Sequence, residues 1–270
     1  LVAGFGMRVD GVAMASVAAQ WGGLGFMIWR ITRIWPGQLR RLIRPLAGAR
    51  LPLWLDFAAY RQFFTLGREI FIRTILLIGC EALLLNEAAK MDDLALATCQ
   101  IMLSIFGLLA FAIDGFAHAA EALVGEAIGQ KNPTMLRIVI RRTNYLAGMM
   151  ALLLSGLLWA GQPLILSLMT SQPALIAFAD AYWLWVVSLP LASFLAFQMD
   201  GIFVGATCGT QMRNAMIIAS ASFAMAIFYL SFGLTGLMAS FVGYLALRGL
   251  SLWWMIGHVH NKAKAVGIGD

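Results

Sequence analysis

Apolar runs of about twenty residues recur along the chain, and short connections rich in arginine separate them. That pattern leaves few folds open. A helix needs roughly 20 apolar residues to cross the hydrocarbon of a bilayer. Hydrocarbon offers an open backbone no hydrogen-bonding partner, so such runs are read as helices. The sequence predicts seven spans: helix A over about Gly11–Trp29, B over Phe63–Leu85, C over Leu94–Ile128, D over Leu136–Trp159, E over Ile176–Val204, F over Arg213–Phe232 and G over Leu237–Val259. The expected fold class is all-α, a polytopic membrane helix bundle. Of the 270 residues only 12% are charged, against about 25% in soluble domains, so no separate soluble domain is expected. Helices C and E are too long for a simple crossing and are expected to tilt or to project beyond the bilayer.

The formal charge of +6 does not point to nucleic acid, because the basic residues sit in short connections, as membrane topology requires. Arg30 through Arg68 flank the A–B connection, and Lys131, Arg137, Arg141 and Arg142 flank C–D. Arg213 opens F, and Lys262 and Lys264 follow G. These connections alternate, which places all of them on the cytoplasmic side together with the C-terminus. Arg8, Lys90, Asp10, Glu87, Asp92 and Asp93 fall on the opposite side. Within the A–B connection, Trp35, Leu39, Leu42, Ile43 and Leu46 share one helical face among arginines. An interfacial amphipathic helix and a solvated linker both fit. Cys80, Cys99 and Cys208 are too widely spaced and too apolar in context for a disulfide framework or a zinc site. The chain opens at Leu1 inside an apolar pattern, without the basic segment of a signal peptide, and is expected to lack an N-terminal portion.

Two carboxylates stand where lipid should be. Asp114 lies in Phe111–Ala117 and Asp200 in Phe197–Val204, each followed by glycine. A charge at that depth costs roughly 3 kcal/mol on insertion scales, and it marks an ion or cargo pathway by default. At about 1.5 Å per residue, Asp114, Asp200 and Arg73 fall in one layer, and Arg248 lies near the middle of helix G. Arg73 and Arg248 are the expected counter-ions, with Arg73 paired to Asp114. A salt-bridge network that only pins helices together is the competing reading. Carboxylates can take up and release protons when desolvated; arginine cannot. Glu69, His118, Glu121 and Glu126 are expected as solvated vestibule residues, and Glu81 as an outer-interface residue. Gly115, Gly201 and Gly205 offer close helix approach, and Pro190 a kink in helix E. No P-loop, HExxH, GxSxG or CxxC motif occurs, so neither an enzyme nor an ATP-driven pump is expected.

Ala112–Ala122, reading AIDGFAHAAEA, resembles the eighth-helix signature of the multidrug and toxic compound extrusion (MATE) transporters, in the DinF branch. Met199–Thr207 with Met212–Asn214 is similar to that branch's tenth-helix segment, Leu245–Leu252 to its last helix and Arg68–Thr74 to the start of its seventh. Leu1–Gly6 and Gly11–Gln20 resemble the end of its fifth helix and its sixth. The resemblance implies the last helix of an N-lobe (residues 1–29), a basic inter-lobe loop (30–62), a six-helix C-lobe (63–260) and a cytoplasmic tail (261–270). It further implies a proton- or sodium-coupled antiporter exporting organic, often cationic or amphipathic compounds, without cofactor, monomeric when full-length, in a bacterial inner membrane. The seventh-helix glutamate of some branches has no counterpart in Ile75–Ile78, which leaves Asp200 without its usual partner. A lipid or lipid-linked flippase of related two-lobe architecture, and a non-transporting structural bundle, remain the alternatives.

Overall fold

The computed structural model describes residues 9–34, 57–229 and 233–268, and every regular element among them is helical. The segment read as an amphipathic helix or linker lies largely outside the described residues. The chain divides into two compact units, 1–61 and 62–270. In the first, α1 (Val9–Ile34) exposes Met14, Val17, Trp21, Leu24 and Phe26, as suits a helix bathed in lipid. Arg33 in its last turn lies 5.2 Å from the Trp29 ring centroid, where it also opposes the negative end of the helix dipole.

The second unit holds α2 (Phe57–Met91, from residue 62 onward), α3 (Asp93–Gly129), α4 (Pro133–Ala160), α5 (Gln162–Met169), α6 (Pro173–Ala181), α7 (Trp183–Gly205), α8 (Gly209–Tyr229), α9 (Gly233–Trp254) and α10 (Gly257–Ile268). Among the described residues, α3, α4, α7, α8 and the α9–α10 stretch are long and apolar enough to cross a membrane. Local chemistry sets their ends. Asp92, in extended conformation, accepts from the Asp93 amide and starts α3. Asn132 accepts from the Met135 amide at 2.9 Å, and Pro133 follows where its missing N–H costs nothing. Lys131, at φ 54°, makes the tight turn between α3 and α4.

Helix α7 is the central strut. Its sequence is apolar on all sides, and residues from Trp183 to Phe203 are buried at intervals along it, as expected of a helix with neighbours all round. Trp183 Nε1 donates to the Leu158 carbonyl at 3.0 Å and Ser155 Oγ to the Val187 carbonyl at 2.8 Å, fixing α4 against α7. Gly249 brings α9 onto the backbone of α7 at Ala196. The core forms two clusters. One, around Phe106, Trp183, Phe223, Phe241 and Tyr244, fills the end where α3 begins; the other, around Val124, Leu136, Met199, Phe203 and Val259, fills the end where α3 stops.

Helix E differs from its expected form. It is two helices, α6 and α7, meeting at Tyr182, while α7 runs unbroken through Pro190. The short α5 packs beside α6, and Gln162 Nε2 donates to Asp180 Oδ1 at 2.5 Å. Helix F starts earlier, at Gly209. Helix G ends at Trp254, and the expected tail is largely helix α10, whose Val259 and Ala263 are buried.

Candidate functional site

The site begins with two glycines. A Cβ on Gly201 would collide with the Ala117 carbonyl, and one on Gly205 with the Glu121 carbonyl. With only hydrogen at those positions, the backbones of α3 and α7 touch. That contact carries the turn of Asp200 alongside the turn of Asp114. Gly115 has open space around it and plays no part in the approach.

Asp200 is 7% exposed. Both arginines reach its Oδ2: Arg73 Nη2 from α2 and Arg248 Nη2 from α9. Three helices are thereby tied at one carboxylate, and the triad carries a net single positive charge. Arg248 is 1% exposed, and its guanidinium lies 5.8 Å from the Phe197 ring centroid. Asp200 Oδ1, Arg73 Nε and Arg248 Nη1 have no hydrogen-bond partner among the described residues. The expected pairing of Arg73 with Asp114 is therefore replaced by pairing with Asp200. The reason is rotational. The α3–α7 contact turns Asp200 into the space between α2 and α9, while Asp114 faces an open groove.

That groove has a volume of about 470 Å³ and is walled by α2, α3 and α7. Asp114, Arg73 and Asp200 line it together with Glu81, His118 and Glu121, against apolar walls such as Phe106 and Phe197. Asp114 forms no ion pair among the described residues. Glu81, expected at the outer interface, instead faces this groove. His118 Nδ1 lies 3.3 Å from Glu121 Oε2, with both side chains exposed, and Glu126 accepts from Gln130 at 2.9 Å.

Glu69 departs most from expectation. It is 2% exposed rather than solvated, and it bridges Arg68 at 2.6 Å and Arg213 of α8 at 2.8 Å. The sequence marks Arg213 as a topology signal and as part of the tenth-helix resemblance, neither of which points to this latch between α2 and α8. Two buried amides were missed as well. Trp183–Leu158, Ser155–Val187 and Gly148–Phe194 set the α4–α7 register, which puts Asn144 one turn on, across from Gln198. Neither amide has a hydrogen-bond partner among the described residues. A glutamine within Phe194–Gly205 was the available signal.

Among the described residues no cluster of three or more His, Cys, Asp or Glu is placed to hold a metal ion. The arrangement offers a membrane-embedded groove with an unpaired carboxylate, bordered by a carboxylate held by two guanidinium groups. It can accept a cation or a proton at Asp114; it has no nucleophile set against a base.

The MatE family model matches residues 70–230. The chain is 33% identical over 254 residues to the DNA damage-inducible protein F of Escherichia coli (strain K12), covering 93% of this chain and 54% of that one. It is 24% identical over 255 residues to Protein DETOXIFICATION 42 of Arabidopsis thaliana, covering 94% and 47%. The chain thus spans about half the length of these curated relatives. The crystal structure of the eukaryotic MATE transporter AtDTX14 superposes with a TM-score of 0.81 at 14% identity, over 99% of this chain and 60% of that one, a likeness of fold.

Proposed function

Because the chain belongs to the MatE family and is a multi-pass membrane protein, we propose that it forms part of a cation-coupled secondary transporter exporting organic or cationic amphipathic compounds. On this reading residues 1–29 end an N-lobe, 30–62 link the lobes, 63–260 form the C-lobe and 261–270 follow it. The protein resides in a bacterial inner membrane with its C-terminus in the cytoplasm and works as a monomer. The reading is non-enzymatic and needs no cofactor. The coupling ion is the proton, with sodium as the second candidate.

One observation carries the proposal: an unpaired carboxylate, Asp114, faces an intramembrane groove next to an arginine-held one. Charges inside a bilayer are costly, and they persist where they serve an ion or cargo path. The Arg73–Asp200–Arg248 triad carries one net positive charge, and three further acidic side chains, Glu81, Asp114 and Glu121, line the groove. The local field therefore favours cationic cargo. Asp114 is the carboxylate free to bind cargo or a proton, while Arg73, Asp200 and Arg248 hold the groove's wall. Glu121 and His118 border its cytoplasmic mouth, and Glu69 anchors α2 below it.

The test is cargo-dependent pH change in proteoliposomes bearing the full-length protein. Coupled flux is expected from the wild type and is strongly reduced in Asp114→Asn. Absence of coupled flux, together with wild-type behaviour of Asp114→Asn and Asp200→Asn, would sink the proposal and favour a structural bundle.

A further inference from the structure

The foot of α4 carries a second charged feature that the groove does not use. Arg137, Arg141 and Arg142 are all exposed. They lie on the side of α4 away from the bundle, since Leu136, Val139, Ile140 and Thr143 point inward. The inward face is already occupied: Leu136, Val139 and Ile140 share a core cluster with Val259 and Ala263 of α10. Among the described residues none of the three arginines makes an ion pair or hydrogen bond with the protein. The same outer face continues up the helix as Tyr145, Met149, Leu152 and Leu153, between 50% and 68% exposed. This is an exposed apolar stripe with an aromatic residue just above three cations; residues of this kind are enriched where a spanning helix leaves the hydrocarbon.

We propose that Arg137, Arg141 and Arg142 form a binding site for the headgroup of an anionic phospholipid in the cytoplasmic leaflet. The argument is charge complementarity at a fixed depth. Guanidinium groups pair with phosphate through parallel N–H donors, and among the described residues nothing competes for these three. Arg137 and Arg141, four residues apart, share one face about 6 Å apart along the axis, and Arg142 flanks them on the same outer side. The acyl chains then lie along Leu152 and Leu153. The site rests on the membrane orientation given above and is independent of what the groove carries.

The test uses the full-length transporter and native mass spectrometry of lipid retained from mixed phosphatidylglycerol and phosphatidylcholine. The wild type is expected to retain phosphatidylglycerol preferentially. Each surface cation contributes about a fivefold factor, so R137Q/R141Q/R142Q is expected to lose roughly a hundredfold of that preference. The lysine triple variant keeps the charge without the parallel donors and is expected to retain only part of it. Thermal unfolding of each variant separates lost binding from lost folding. Equal retention of the two lipids by the wild type, or unchanged preference in a folded glutamine variant, overturns the site. Labelling of Thr134→Cys from the outer side of intact cells overturns the leaflet assignment, whatever cargo transport shows.

Discussion

Arg248, buried in α9, meets Asp200 of α7 at the same oxygen that accepts Arg73. The two arginines are not equivalent. Arg248's side chain is 2% exposed and Arg73's 18%, so only Arg73 keeps contact with the groove. Removing one member of a buried pair leaves an uncompensated charge and costs about 3–5 kcal/mol. Asp200→Asn strips both arginines of their counter-charge and is expected to lower thermal stability in detergent by that order. Arg73→Met leaves Asp200 paired with Arg248 and should cost clearly less than Arg248→Met. Equal losses from the two arginine variants would contradict the asymmetry.

Glu69 joins α2 to α8 through Arg213, while its second partner, Arg68, is 63% exposed. An exposed pair contributes about 0–1 kcal/mol, whereas a buried group deprived of its partner costs about 1–3 kcal/mol. Arg68→Gln is therefore expected to be near neutral in a thermal unfolding assay. Arg213→Gln should destabilise measurably. A double variant, Glu69→Gln with Arg213→Gln, should recover part of that loss, because the charge left without a partner, Arg68, is exposed rather than buried.

Cys208 lies between α7 and α8, outside the spans, and is 8% exposed. Burial pushes its thiol pKa up, and the ammonium of Lys262 pulls it partly back. Only thiolate is nucleophilic, so raising the pKa lowers the reactive fraction near neutral pH. Maleimide labelling of the folded protein at pH 7.5 is expected to be slow at this cysteine, and fast once detergent and urea open the fold. Rapid labelling in the folded state would show that the α7–α8 turn is not closed over it.

Among the described residues, the five helices long and apolar enough to span were legible because a 20-residue apolar window is a one-dimensional signal, and so was the presence of Asp114 and Asp200 within them. What escaped was rotational. Depth at 1.5 Å per residue placed Arg73 level with both aspartates. Which one it meets depends on how Gly201 and Gly205 turn α7 against α3, and a depth estimate carries no such angle. Glu69 misled for a related reason. A carboxylate near a span end reads as solvated unless its cation, 144 positions later in the chain, is already known to lie across from it. The break at Tyr182 had only a faint local mark, Asp180 in the otherwise mostly apolar Ile176–Val204, and the proline that did stand out is accommodated in a continuous helix.

The α3–α7 contact makes a sharp prediction because at Gly201 and Gly205 the two helices meet through backbone alone. A Cβ at Gly201 or Gly205 must push α3 away, since the colliding atoms are main-chain carbonyls that cannot rotate aside. Overpacking of this kind costs about 1–3 kcal/mol, and separation of the helices would also loosen the arginine-held carboxylate next in sequence to Gly201. Gly201→Ala and Gly205→Ala are each expected to lower the unfolding temperature and the yield of folded protein. Gly115→Ala is the control on the same pair of helices: its Cβ meets nothing within 4 Å, and alanine gains about 0.5–1 kcal/mol over glycine within a helix. It should be neutral or stabilising. If Gly115→Ala were as damaging as Gly201→Ala, the close approach would not be where the structure places it.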